Sequence, residues 1–210
     1  MSIVRLLICP ILLCVNLIEA AGVQEISDDT LCAVARSSLQ GFLEKIPPGF
    51  EPKYGFSNRN EFQEAQPGTP LRIYVIDFDS SSSVDNLSPF AVDEWFVPVM
   101  VKGTMRSLLT VAVIDGALKT VELGGAALAQ EFDQAGKSFS GCRRGLLRVN
   151  QFRCDIMLIN CKSTDTGSAD CIPMKSATMF SSRNQLHMLS QKEVMAELLR
   201  AYNKQKAGNQ

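Results

Sequence analysis

The sequence predicts a single α+β domain: a mainly antiparallel sheet of five or six strands packed against an N-terminal and a C-terminal helix. Three observations carry this reading. Strand-like runs rich in Val, Leu, Ile and aromatics occupy 95–101, 107–114 and 118–123, joined at Lys102-Gly103 and Asp115-Gly116. An apolar stripe at helical spacing, Leu31, Val34, Ala35, Leu39, Phe42, Leu43 and Ile46, follows Ser27-Asp28-Asp29. A capping box, Ser190-Gln191-Lys192-Glu193, opens a second amphipathic stretch near the end of the chain.

The chain has 210 residues. Residues 1–21 have the layout of a secretory signal peptide: Arg5, an apolar run over 6–18, then small residues around Ala20, Ala21 and Gly22. That run is about 13 residues, short of the ~20 a membrane-crossing helix needs, and no later stretch is more apolar. The expectation is a periplasmic or secreted protein with no integral membrane segment after cleavage. Residue 13 before Cys14 is Leu, not the small residue of a lipoprotein site. Residues 22–203 are expected to form the domain and 204–210 a disordered tail.

Asp28 and Asp29 favour the positive end of the first helix, and Pro47-Pro48-Gly49 stops it. Asn58-Arg59-Asn60-Glu61 resembles a capping box for a short helix carrying Phe62 and Ala65. Residues 71–78, LRIYVIDF, read as a strand apolar on both faces and therefore central in the sheet. Residues 79–91 are expected to be loop. In the meander, Asp-Gly between two apolar runs is the stronger hairpin signal, because a type I′ turn needs φ > 0 at both central positions. Lys102-Gly103 leaves room for a longer loop. Pro98 cannot donate to a ladder, which predicts either an edge strand or one that begins only at Val99.

Gly124-Gly125 then turns the chain into a short helix on which Leu128 and Phe132 lie one turn apart, closed at Ala135-Gly136-Lys137. A glycine pair before a helix can cradle phosphate, but neither G-x-G-x-x-G nor G-K-[ST] accompanies it, which leaves a turn. Residues 146–160 hold two further strand-like runs, LLRVNQF and DIMLIN, or one bent strand. Residues 162–170 read as a polar loop and 185–189 as a short strand. In the closing helix Val194, Leu198 and Tyr202 share a side.

The stretches LLRVNQFRCDIMLI, CIPMKSATMF, EWFVPVMVKG and LGGAALAQEF together resemble a loose group of secreted bacterial proteins with no activity attached to it. The resemblance spans most of residues 50–200. It implies export and one compact domain and supplies no catalytic residue, and this chain departs from the group in its richness in cysteine.

A formal net charge of −1, with 46% hydrophobic and 20% charged residues, describes a globular domain. Nucleic-acid binding calls for a basic excess, and the one local cluster, Arg143, Arg144, Arg148 and Arg153, suits a solvated strand face. Beyond the leader stand Cys32, Cys142, Cys154, Cys161 and Cys171, an odd count that leaves at least one thiol unpaired within the chain. If 154–161 is one extended strand, its ends lie about 23 Å apart at ~3.3 Å per residue, far beyond the ~7 Å a disulfide spans. Cys161 with Cys171 is then the simplest bridge, and Cys142 with Cys154 the next. Cys32 is expected to be a buried small hydrophobe on the first helix. Zinc would usually bring a C-x-x-C knuckle, which is absent, and its absence speaks equally against a thioredoxin-like centre.

The one histidine, His187, would have to serve any Ser-His-Asp or Cys-His site. It sits among apolar neighbours, and no G-x-S-x-G elbow surrounds a serine. Asp77, Asp79 and Asp85 can gather calcium in principle, but they lack the glycine and bidentate Glu of a calcium loop and suit turn formation better. The sequence therefore names no catalytic residue, no metal ligand and no cofactor. It points to a non-catalytic binding or assembly module with a protein or small-molecule partner. The alternative is a secreted hydrolase using Asp or Glu residues, or His187 with a cysteine or serine.

Overall fold

Two tight turns build the centre of the molecule. Lys102 (φ 49°) and Gly103 (φ 78°) join strands β3 (Phe90–Val101) and β4 (Thr104–Ile114); Asp115 (φ 53°) and Gly116 (φ 75°) join β4 to β5 (Ala117–Gly124). Positive φ at both central positions is the type I′ requirement, and it holds at both turns, so the tract after Lys102 is strand and not a longer loop. The computed structural model describes residues 26–79, 83–161, 169–180 and 188–208. The expected signal peptide, Cys9, Cys14 and His187 lie outside the described residues.

The sheet has nine strands in place of the five or six expected, in the order β5-β4-β3-β2-β6-β7-β8-β9, with β1 (Gln66–Pro67) beside β3. The additional members include β1 and β8 (Asp170–Pro173), too short to display an alternation in sequence; β9 (Leu189–Ser190) overlaps the short strand expected over 185–189 at Leu189, and 185–187 lie outside the described residues. β2 (Leu71–Val75) lies in the middle, antiparallel to β3 and parallel to β6 (Arg143–Val149). That parallel pair needs a crossover. α2 (Ala126–Gly136) provides it, carrying the chain from β5 at one edge to the far side of β2. Residues 146–160 form a hairpin and not one bent strand: β6 and β7 (Cys154–Asn160) meet at a turn in which Arg153 has φ 49°.

Pro98 lies inside β3, a strand paired on both sides, and not at an edge or before a strand start. Its carbonyl accepts from the Gly68 N–H at 2.7 Å, so its own N–H position faces residues 68–70, where β1 has ended and β2 has not begun. The missing donor falls at a break in the ladder and costs no bond.

Register sorts the side chains onto two faces. On one, α1 (Asp28–Glu44) lays Leu31, Ala35, Leu39 and Leu43 over Trp95, Val97, Leu109 and Val111. Ser27 caps α1 through the Thr30 N–H at 3.2 Å. On the same face α3 (Gln191–Gly208) lays Val194, Met195, Leu198 and Leu199 over Leu147, Val149, Ile156 and Leu158. Its capping box is closed in both directions: the Ser190 N–H donates to Glu193 Oε2 at 2.9 Å and the Glu193 N–H to Ser190 Oγ at 3.3 Å. The opposite face is covered by α2, whose Ala129 and Phe132 are fully buried against Leu71, Ile73, Phe96, Leu146 and Met157. Helices at both ends of the domain and a mostly antiparallel sheet make an α+β fold. Among the described residues no helix is long and apolar enough to cross a membrane.

Candidate functional site

α1 covers β3 to β5 and α3 covers β6 to β8, which among the described residues leaves β2 between them without a helix above it. The side chains that β2 presents there are Arg72 and Tyr74, and an open cleft of about 730 Å³ lies over them. This is within the usual range for small-molecule sites. The floor follows directly from the pairing. Trp95, Arg72, Gly145 and Leu158 form one row across four strands, and two residues along β6 Arg143 faces Asn160. Ile26 and Asp28 at the start of α1 and Gln191 at the start of α3 form opposite walls, and Pro70 and Pro89 also line the cleft.

Arg72 lies over the Trp95 ring with its guanidinium carbon 4.7 Å from the centroid. Its ion pair with Asp93 is long, 3.6 Å, and the Asp93 carboxylate is 66% exposed, so the pair is screened. Arg72 Nε is shielded from solvent and has no hydrogen-bond partner. Gly145 beside it makes room for the Tyr74 ring: a Cβ there would lie 3.0 Å from Tyr74 Cε2 and 3.2 Å from the Arg72 carbonyl oxygen. Arg143 is exposed and makes no ion pair with any described residue. Arg144 points through the opposite face, where its Nη1 occupies the space a Cβ on Gly136 would take. The arginine cluster expected on one solvated face is thus divided between the two sides of the sheet: Arg143 and Arg144 both line the cleft, but the Arg144 guanidinium lies on the far side against Gly136.

Among the described lining residues Asp28 is the one carboxylate. The arrangement can recognise and orient negative charge. It holds no pair of carboxylates for acid and base work and no hydroxyl or thiol beside a base.

The disulfide is Cys142–Cys161, with Cα atoms 4.4 Å apart, and neither the expected Cys161–Cys171 nor Cys142–Cys154 pair forms. Loop length points to the wrong partners because it takes no account of which face a side chain uses. Cys171 pairs in register with Leu158 and packs under α3, while Cys142 packs on the α2 side. Cys154 sits at the closed end of the β6–β7 hairpin and Cys142 beyond its open end. Cys154 and Cys171 remain thiols; burial, with Asp155 and Asp170 adding to it, pushes each up to about 12. Cys32 is half-buried and not fully enclosed: it lies at the flank of the α1 stripe, where its Sγ contacts the Gly68 carbonyl at 3.5 Å. Burial, then Asp28, raise its pKa.

The loop acids are engaged within the fold, Asp77 in a local turn and Asp79 and Asp85 by α3. Asp77 Oδ1 accepts from the Asp79 N–H, Asp79 accepts from the Tyr202 hydroxyl at 2.6 Å, and Asp85 pairs with Lys192. Among the described residues no three His, Cys, Asp or Glu side chains gather as metal ligands. Gly125 (φ 67°) stands at the N-cap of α2 with the Leu108 side chain against it, which makes the glycine pair a left-handed turn between β5 and α2.

Two other surfaces compare poorly with the cleft. A smaller cleft of about 490 Å³ on the α2 side is lined by Glu94 and Arg148, but Arg148 is engaged by Asp155 at 3.1 Å and by the Phe96 ring. The outer edge of β5 is long enough to add a strand, yet it is interrupted by a bulge at Val121 and flanked by Lys119 and Glu122. A bulge and charges are devices that blunt an edge.

The sequence alone does not single out Arg72, Tyr74 or Trp95. The available signal is an arginine inside an otherwise apolar strand, which a central position makes costly unless it faces an opening. Comparison with protein-family models, curated proteins and solved structures finds no match.

Proposed function

We propose that the chain is a non-catalytic binding module that holds a ligand in the cleft between α1 and α3. The supporting observation is the composition of the floor: Arg72 and Arg143 converge there with Tyr74, while the described lining offers the single carboxylate Asp28 at the wall. Guanidinium groups recognise and orient, whereas hydrolysis needs a nucleophile or an acid–base pair. Export to the periplasm or beyond belongs to the same proposal; the disulfide is compatible with an oxidising compartment.

The test is to incubate the purified protein with chromogenic ester, glycoside, phosphate and peptide substrates while amide NMR follows the cleft. Shifts confined to the cleft without turnover support the module. Turnover that disappears in Asp28→Asn would overturn it in favour of a hydrolase.

A further inference from the structure

We infer that the ligand of this cleft is a small organic oxyanion, its carboxylate or phosphate held between Arg72 and Arg143 and its apolar body lying along Tyr74; this rests on the binding-module reading. Arg72 and Gly145 are direct partners on parallel strands, and Arg143 precedes Gly145 by two residues on the same face. Strand spacing and rise place the Arg72 and Arg143 Cα atoms about 8 Å apart, within reach of one anion for two such long side chains. Arg72 is already held near such a contact, because the Trp95 ring packs against its guanidinium and removes part of the rotamer entropy that binding would otherwise cost.

Its Nε is buried and closed to a ligand, so an oxyanion in the cleft accepts from the terminal Nη groups, as a charge-assisted hydrogen bond. Among the described residues acids are too few to hold these groups from within. Asp93 reaches Arg72 only at 3.6 Å from the exposed rim, Asp28 belongs to the wall, and Arg143 has no ion-pair partner among the described residues. Two like charges facing one cavity repel each other until an anion lies between them. The helix ends at the walls add little, since Ser27 and Glu193 already cap them. Pro70, Leu71, Pro89 and Leu158 line the remaining space together with Thr69, Asn160 and Gln191, which suits a compact body with one apolar face.

The experiment titrates the full mature chain with four probes of one shape, benzoate, phenyl phosphate, benzamide and benzylamine, followed by amide NMR. Benzoate or phenyl phosphate, or both, should shift Arg72, Tyr74, Arg143 and Gly145, with affinity falling as salt rises. Whichever anion binds more tightly identifies the head group. Arg143→Gln, at an exposed position that folding does not depend on, should weaken the anion about tenfold, and Arg72→Gln should do the same. Cleft shifts by benzamide equal to those by benzoate would overturn the anion assignment and leave the binding module standing. The absence of cleft shifts by either anion at low salt would overturn it as well, and so would unchanged affinity in Arg143→Gln. Turnover in the hydrolysis assays would instead remove the module reading itself.

Discussion

Cys142 and Cys161 face each other one residue beyond the Arg143–Asn160 pair, so the disulfide clamps the open end of the β6–β7 hairpin next to the cleft floor. The bonded residues are 19 apart in sequence. On the chain-entropy account, a loop of this size contributes about 3 kcal/mol by restricting the unfolded chain. Cys142→Ser with Cys161→Ser should lower stability by about that amount in urea unfolding. It should also weaken an anionic probe severalfold, because β6 carries Arg143 at the end that loses its clamp. Unchanged probe affinity in a folded double variant would separate the bridge from the site.

Gly55 and Gly49 both have left-handed backbone, φ 87° and φ 85°, but their surroundings differ. A Cβ at Gly55 would stand 1.9 Å from the Arg106 carbonyl oxygen, whereas nothing lies within 4 Å at Gly49. Gly49→Ala should therefore cost about 1 kcal/mol, the conformational term alone. Gly55→Ala must also displace the backbone of β4 and should cost about 3 kcal/mol or more. Equal losses in chemical denaturation would mean that β4 yields freely at this point.

These glycines also show what a sequence can convey. Turn chemistry at Asp115-Gly116, the Ser27 cap and the reciprocal Ser190–Glu193 cap are local, and each is carried by residues within a few positions of one another. The cleft is different in kind. Arg72 and Arg143 meet through the parallel pairing of β2 with β6, which follows only once α2 has crossed the sheet. No local pattern encodes that meeting. The disulfide escapes the sequence for a related reason: proximity along the chain is legible, but the face each cysteine uses depends on pairings between strands. Local rules put Pro98 at an edge because the interruption between β1 and β2, which accommodates it, is itself a tertiary feature.

Glu51 supplies a test in acid. It is buried, receives the Gly49 N–H at 2.7 Å and pairs with Arg59 at 3.1 Å. The hydrogen bond from its own backbone N–H is the largest influence; with those from Arg59 and Gly49 it outweighs burial and holds the carboxyl below its ordinary 4.5. A depressed folded-state pKa contributes stability above the unfolded value, and this is lost as pH falls through the folded one. The stability gap between the wild-type chain and Glu51→Gln should be constant from neutral pH down to about 4.5 and should shrink below it. Denaturant midpoints measured across this range check the prediction, and a gap that widened in acid would contradict it.

Cys154 and Cys171 make the corresponding prediction in alkali. Their side chains are 1% and 0% exposed in the core beneath α3, and burial raises them from 9.0 to about 12. In the unfolded chain both ionise as pH passes 9, while in the folded chain they keep their protons until about 12. The unfolded state therefore binds fewer protons across this window, and stability must fall as pH rises through it. Lysines and tyrosines titrate there too, so the comparison that isolates the thiols is with Cys154→Ala combined with Cys171→Ala. The double variant should begin less stable at pH 8, because two buried side chains have been truncated, and should lose less between pH 9 and 11. Thiol labelling at pH 8 supplies the independent measurement. Half-buried Cys32 should react slowly in the native protein, and Cys154 and Cys171 only at the rate of unfolding. Fast labelling of Cys171 in native conditions would mean that β8 and β9 open locally without global unfolding, and the Cys171 share of the alkaline difference would then shrink, leaving that of Cys154 in β7.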